Sequence, residues 1–306
     1  MVMKKIIDKK AIKIRQDLVV RISKFKGNFA EDFLTLEKEL EKLIKKGGSK
    51  ELVDHLRLCG SIPESYGHDT SDEKLYSKYT DSLLSFAYKA IGLKSIVLTE
   101  RADVADVDAF AKKYSFVADA KAFRLSRTAK NQKDFKVQAM DGWKHGKPYA
   151  MVVCPIYQLP KNTSQIYQQA TTRNVCIFTY SHLSLLVNYA EQEGNKKAEA
   201  LLLKIFQTIE ALNPTKNAVD YWQAVNKAML NESKIIHDLW KTEKMASLES
   251  VEIAKQEGLT YLAKEREKIM RMTHEQALRE LVVMSKIDSK IKIIKSIADN
   301  GLFNII

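Results

Sequence analysis

Apolar residues recur at helical spacing through the first part of the chain, give way to short β-type runs near residue 96, and return to helical spacing from about 196 onward. From about 9 to 60 the pattern is helical, with Phe33, Leu34, Leu36, Leu40 and Leu43 approximating a 3.6-residue period. Gly47 and Gly48 are expected to stop that helix, and Ser49 to cap a second one that contains Leu52. The Pro and Gly of Ser61-Ile-Pro-Glu-Ser-Tyr-Gly-His mark a loop. Ser71 then opens a helix through Leu75, Leu83 and Phe86 that ends near Gly92.

The β-type runs are Ile96–Leu98, Val104–Phe110, Tyr114–Ala120, Tyr149–Cys154 and Val175–Tyr180, separated by helical or turn segments. Beyond them, Leu201, Leu202, Ile205, Phe206 and Ile209 form one stripe, and Asn213-Pro214 breaks it. Leu259, Leu262, Ile269 and Met270, set among Glu and Lys, predict a long amphipathic helix over about 247–272 that packs on the body or on a second subunit. The fold class expected is α/β. A single domain over 1–306 is divided into a helical part (1–95), a core with a mixed β-sheet flanked by helices (96–192) and a helical part (193–306).

Composition narrows the function. With 306 residues and 45% hydrophobic content, the chain can bury its own core. Fifty Lys and Arg against 38 Asp and Glu leave a formal charge of +12, which suits a polyanionic partner such as nucleic acid. Cys59, Cys154 and Cys176 lack CxxC spacing, so neither a zinc cluster nor a disulfide framework is indicated, and a reduced cytoplasmic setting is expected. The apolar run at the amino terminus is too short for a signal peptide, and no stretch approaches a membrane span. No glycine-rich loop ends in Lys-Ser or Lys-Thr, so no nucleotide cofactor is expected. The six histidines show no metal-ligand spacing, and Trp143, Trp222 and Trp240 sit in helical patterns that make them core or interface residues.

The chemistry lies between Glu100 and Lys136. If Val104–Ala111 and Tyr114–Lys121 are antiparallel strands joined by the two-residue turn Lys112-Lys113, Asp106 falls opposite Asp119. Side chains alternate along a strand, so Asp119 and Lys121 share a face, and the opposed Asp106 shares it across the pair. Two opposed carboxylates destabilise a hairpin unless a cation lies between them. Hard carboxylate oxygens without soft ligands point to Mg²⁺, held by one or two carboxylates together with waters and substrate phosphate oxygens. Lys121 is the companion ammonium, placed to stabilise negative charge at a phosphate and to orient an attacking water or help deprotonate it.

A cation then recurs at every third position, Lys121, Arg124, Arg127, Lys130, Lys133 and Lys136, opposed only by Asp134. That spacing drifts by about 60° per step around an α-helix, so a loop is expected to about 130. A helix follows, with Phe135, Ala139, Met140 and Trp143 at helical spacing. A basic loop that leads into a helix N-terminus suits phosphate contacts. Arg124, Arg127 and Lys130 are candidate phosphate contacts, and Asn131, Gln132 and Lys133 are residue types able to read base edges.

The block Val117-Ala-Asp-Ala-Lys121, followed by Phe123-Arg-Leu-Ser-Arg-Thr-Ala-Lys-Asn-Gln-Lys-Asp-Phe-Lys-Val137, resembles the signature of HindIII-type type II restriction endonucleases. The similarity extends upstream through Glu73-Lys-Leu-Tyr-Ser-Lys78 and Glu100, and downstream through Ser164-Gln-Ile-Tyr and Thr273-His-Glu-Gln-Ala-Leu. The resemblance implies a PD-(D/E)xK nuclease fold, a homodimer on palindromic double-stranded DNA, and Mg²⁺-dependent hydrolysis that leaves 5′-phosphates. The implied target is AAGCTT, cut after the first A. On this carry-over Asp119 binds metal, Lys121 is the motif lysine, Asp134 is an additional acidic site residue, and Glu100 is an acid of the preceding segment that also binds metal. The chain departs from the motif at its first acid, because Ala105 stands where the Pro would precede Asp106. Glu100, Asp103, Asp106 and Asp108 all compete for that role. The hairpin favours Asp106, and the resemblance also supports Glu100. Two other functions fit the charge and the Asp-x-Lys triplet: a structure-specific repair nuclease of the same fold, and a non-catalytic basic DNA-binding protein.

Overall fold

Local capping sets the helical preface. In the computed structural model, which describes residues 5–98, 104–127 and 132–296, α1 (Lys9–Lys24) is capped by Asp8, which accepts from the Ala11 amide. Asn28 caps α2 (Phe29–Leu58) in the same way through the Ala30 amide. The two helices expected either side of Gly47-Gly48 form one bent helix. Gly48, at φ +66° and ψ −157°, takes a conformation that a Cβ would oppose, for one residue only, so the chain kinks without ending. Thr70 caps α3 (Ser71–Ala90), whose first turn carries Asp72 and Glu73, a placement that suits the positive end of the helix dipole.

The sheet has five strands in sequential order: β1 (Lys94–Val97), β2 (Val107–Phe110), β3 (Ser115–Ala120), β4 (Tyr149–Cys154) and β5 (Val175–Thr179). The first three are antiparallel, and β3, β4 and β5 are parallel. Every residue of β4 and of β5 is buried, as expected for parallel strands covered on both faces. Between β3 and β4 the chain makes a 3₁₀ turn over Gln132–Phe135 and the short helix α4 (Val137–Gly142); α5 (Gln165–Thr172) links β4 to β5. The helix expected to run continuously through Phe135 is interrupted at Lys136, whose φ of 47° is left-handed. Helix α3 packs against β1, β2 and β3, while α4 touches β3, β4 and β5. The mixed sheet with flanking helices is the α/β architecture the sequence predicts.

Helices α6 (Tyr180–Glu193), α7 (Asn195–Glu210), α8 (Ala218–Leu230) and α9 (Lys234–Met270) follow. The stripe from Leu201 to Ile209 is buried on α7, and the break at Asn213-Pro214 is the loop before α8. Helix α9 starts well before the expected 247 because Ile236, Leu239 and Ala246 bury a continuous stripe. The chain divides into two compact units, 1–258 and 259–306. In the second, Thr273 and Gln276 form a capping box at the start of α10 (His274–Met284), and α11 (Ile287–Ser296) follows. Among the described residues, no helix is long and apolar enough to cross a membrane.

Candidate active site

The β2–β3 hairpin builds the site. Its register runs from Phe110 opposite Ser115 to Val107 opposite Ala118, and the Lys112-Lys113 turn is closed by the Ala111 amide donating to the Tyr114 carbonyl at 2.9 Å. One further step along both strands sets Asp106 against Asp119, as side-chain alternation requires. The strands themselves are shorter than expected, and Asp106 lies just before β2, where its carbonyl accepts from the Leu98 amide at 2.8 Å.

Lys121 emerges just after β3 and forms an ion pair with Asp119. Its backbone is fixed on two sides: the Lys121 amide donates to the Val153 carbonyl at 2.7 Å, and the Tyr180 hydroxyl donates to the Lys121 carbonyl at 3.0 Å. Two residues on, Phe123 bridges to Ser61, its amide donating to the Gly60 carbonyl at 3.1 Å.

A third carboxylate joins the pair. Asp81, on α3, contributes an oxygen to a cluster in which one oxygen from each of Asp81, Asp106 and Asp119 lies within 4.8 Å of the others. Asp81 and Asp119 are 3% and 1% exposed, so neither is solvated by bulk water. Lys78, one helical turn from Asp81, reaches both remaining acids: its Nζ is 3.1 Å from Asp81 Oδ2 and 2.9 Å from Asp106 Oδ1. Sequence reasoning missed Asp81 and Lys78. Asp81 stands among polar neighbours, Thr80 and Ser82, so nothing in the local pattern of α3 marks it as a site residue.

Burial dominates the electrostatics of the cluster. Burial raises the Asp81 carboxyl well above the ordinary carboxylate range, reinforced by Asp106, with Lys78 opposing. Burial likewise raises Asp119, although the Lys121 ammonium pulls the other way. Asp106 is less enclosed, so the penalty of burial is overcome by Lys78 and its carboxyl is lowered. The result is a negative, partly desolvated nest of hard oxygen donors. Such a set fits Mg²⁺, and no imidazole or thiol contributes to it. His55 and His182 are buried elsewhere and driven to about 4 by desolvation, which keeps them neutral.

Residues 16–298 match the HindIII restriction endonuclease family. The chain belongs to that family. It is also 34% identical to the type II restriction enzyme HindIII of Haemophilus influenzae over 278 residues, which cover 87% of this chain and 90% of that protein. Membership makes it a site-specific deoxyribonuclease, and the acid cluster with Lys121 lies inside the stretch that matches the HindIII family.

The other residues singled out in this HindIII-family chain divide into three groups. Arg124, expected at phosphates, is instead committed inward: it pairs with Glu73 at 2.8 Å and donates to the carbonyls of Tyr66 and Gly67 at 2.8 and 2.9 Å. Arg127 pairs with Asp134 at 2.6 Å and lies over the Phe123 ring, and Asp134 is not part of the carboxylate cluster. Asp108 is also drawn away, to Lys147 at 3.1 Å. Glu100, Asp103, Lys130 and Asn131 lie outside the described residues, as do the side chains of Gln132 and Lys133. Among the described competitors for the first acid, Asp106 is the one that meets Asp119. Lys136 sits over Trp143 and acts electrostatically on Asp119, a cation the basic block contributes without having been singled out for the acid cluster.

Proposed function

We propose that this chain is a Mg²⁺-dependent type II restriction endonuclease with a PD-(D/E)xK core, acting as a homodimer on palindromic duplex DNA. The observation that carries the reading is the convergence of Asp81, Asp106 and Asp119 beside Lys121. Asp106 and Asp119 hold the metal, Asp81 completes the donor set, and Lys121 serves the scissile phosphate. Glu100 remains a proposed further acid from the segment before β2. The ion supplies charge neutralisation at the phosphate oxygens and favours attack by water when bound.

The protein's own contribution is positional. Asp119 lies on β3, where its backbone pairs with Val152 of β4. Lys121, anchored by Val153 and Tyr180, presents an ammonium next to the acids, where it stabilises charge developing on phosphorus oxygens and orients the attacking water. Arg127 and Lys130 supply phosphate contacts, and Asn131 and Lys133 the base or near-base contacts. A two-fold dimer places one such centre on each strand of a two-fold site.

The target proposed is AAGCTT, cut after the first A to leave 5′-phosphates. Digestion of a sequenced plasmid with and without Mg²⁺, followed by run-off sequencing of the ends, tests it. Discrete cuts at that hexamer are expected. Discrete cuts elsewhere would overturn the target, and cutting without sequence preference would point to a structure-specific nuclease.

A further inference from the structure

Two lysines share three carboxylates in this cluster, and they are placed differently. Lys121 follows Asp119 on the same strand line, and its role is already given by the chemistry above. Lys78 belongs to α3 and bridges two acids that come from different elements, Asp81 one helical turn away and Asp106 at the mouth of β2. Its contact with Asp106 is a direct charge-assisted hydrogen bond at 2.9 Å, and its contact with Asp81 is an ion pair at 3.1 Å. The Lys78 side chain is 22% exposed and the Asp106 side chain 30%, so this is the side of the cluster open to solvent, whereas Asp119 faces inward.

Three carboxylates whose oxygens gather within 4.8 Å repel one another unless cations are interposed. Lys78 supplies that cation to Asp81 and Asp106. The same oxygens are the hard donors a divalent cation requires, and an ammonium engaged with them competes for their lone pairs. We propose that Lys78 is a positioning residue that stands in for the divalent ion: it holds Asp81 and Asp106 together in the metal-free protein and must release them when the metal binds, so that it sets metal affinity by competition. The inference rests on the metal-binding reading of the cluster, and the test separates the two.

The consequence runs against intuition for a residue in a binding site. Removing Lys78 removes the competitor and leaves the metal-free state with unneutralised acids, and both effects tighten metal binding. A purely structural residue gives the opposite result, because loss of packing loosens the cluster. Mn²⁺ titration of the full-length protein, followed by the electron paramagnetic resonance of the free ion and without DNA, reads affinity independently of cutting.

For Lys78→Met the Mn²⁺ affinity is expected to rise by roughly tenfold. The melting temperature of the metal-free protein should fall, and saturating Mn²⁺ should restore it. Lys78→Gln keeps a hydrogen-bond donor without the charge and should also bind more tightly, which covers the case in which the Met variant fails to fold. Lys78→Arg keeps the charge and should stay near the parent affinity. Unchanged or weaker Mn²⁺ binding in the Met and Gln variants overturns the role of Lys78 alone. Absence of Mn²⁺ binding in the parent and all variants overturns the metal site itself, and the competition with it.

Discussion

The phenolic hydroxyl of Tyr180 donates to the carbonyl oxygen of Lys121 at 3.0 Å, joining the first residue of α6 to the residue that carries the site's ammonium. The bond is buried, and the Lys121 amide on the other side is taken by Val153 of β4. Lys121 is thus positioned through its backbone by two elements that carry none of the cluster acids.

Tyr180→Phe should therefore act on turnover more than on binding. The lost hydrogen bond costs about 1 kcal/mol of stability. A small shift of the ammonium should lower kcat by roughly tenfold while KM for DNA stays close to the parent value. Steady-state cleavage of a short duplex distinguishes this from a stability effect, and an equal change in kcat and KM would count against a positioning role.

Asp81→Asn probes the acid that the sequence did not reveal. Burial raises the Asp81 carboxyl, so a charged carboxylate there is held at a cost, and a neutral amide should leave the metal-free protein as stable as the parent or more so. Cutting should fall by about 100-fold, with half-saturation moved to higher Mg²⁺. Parent-like Mg²⁺ dependence of cleavage would remove Asp81 from the site.

Arg124→Ala separates scaffold from DNA contact. With its donors committed to Glu73 and to two carbonyls of the 61–68 loop, the change should destabilise the fold by about 1.5–3 kcal/mol. The salt dependence of DNA binding should be unchanged in the folded fraction, whereas loss of one phosphate contact would reduce the slope by about 0.9. Urea unfolding and binding titrations over a salt series provide the two readouts.

The acid side of the stability profile is assigned to two buried imidazoles. His55, hydrogen-bonded to Tyr79, and His182, stacked on Trp222, are both lowered by desolvation to about 4. A folded value below the unfolded one means that the unfolded chain binds the proton first. Their contribution is therefore complete above about 6.5 and is lost as pH falls towards about 4. Urea midpoints should decline through that window, by up to about 3 kcal/mol per histidine. His182→Gln should flatten the decline, and a profile as steep as the parent's would place the loss elsewhere.

How much of this was legible in the sequence follows from the range of each interaction. The Asp106–Asp119 opposition was readable because a two-residue turn and a period of two fix a hairpin register locally. The continuous burial of β4 and β5 was readable from apolar runs. Asp81 and Lys78 were not, because their meaning depends on α3 packing across the sheet, a contact that no local period encodes. Arg124, which charge and spacing place at a phosphate, is held here by carbonyls of the loop before α3, contacts that no local pattern encodes. The single-residue kink at Gly48 and the left-handed Lys136 escaped because side-chain patterns report which face is apolar and say little about one unusual backbone angle.

In the proposed reaction the Asp106 and Asp119 carboxylates beside Lys121 form a Mg²⁺-dependent cutting centre. It is tested most directly by comparing the parent with Asp119→Asn on a duplex that carries the target, measuring cleavage with Mg²⁺ and binding without it. Cutting should be lost and specific binding retained. A fully active Asp119→Asn protein would contradict it.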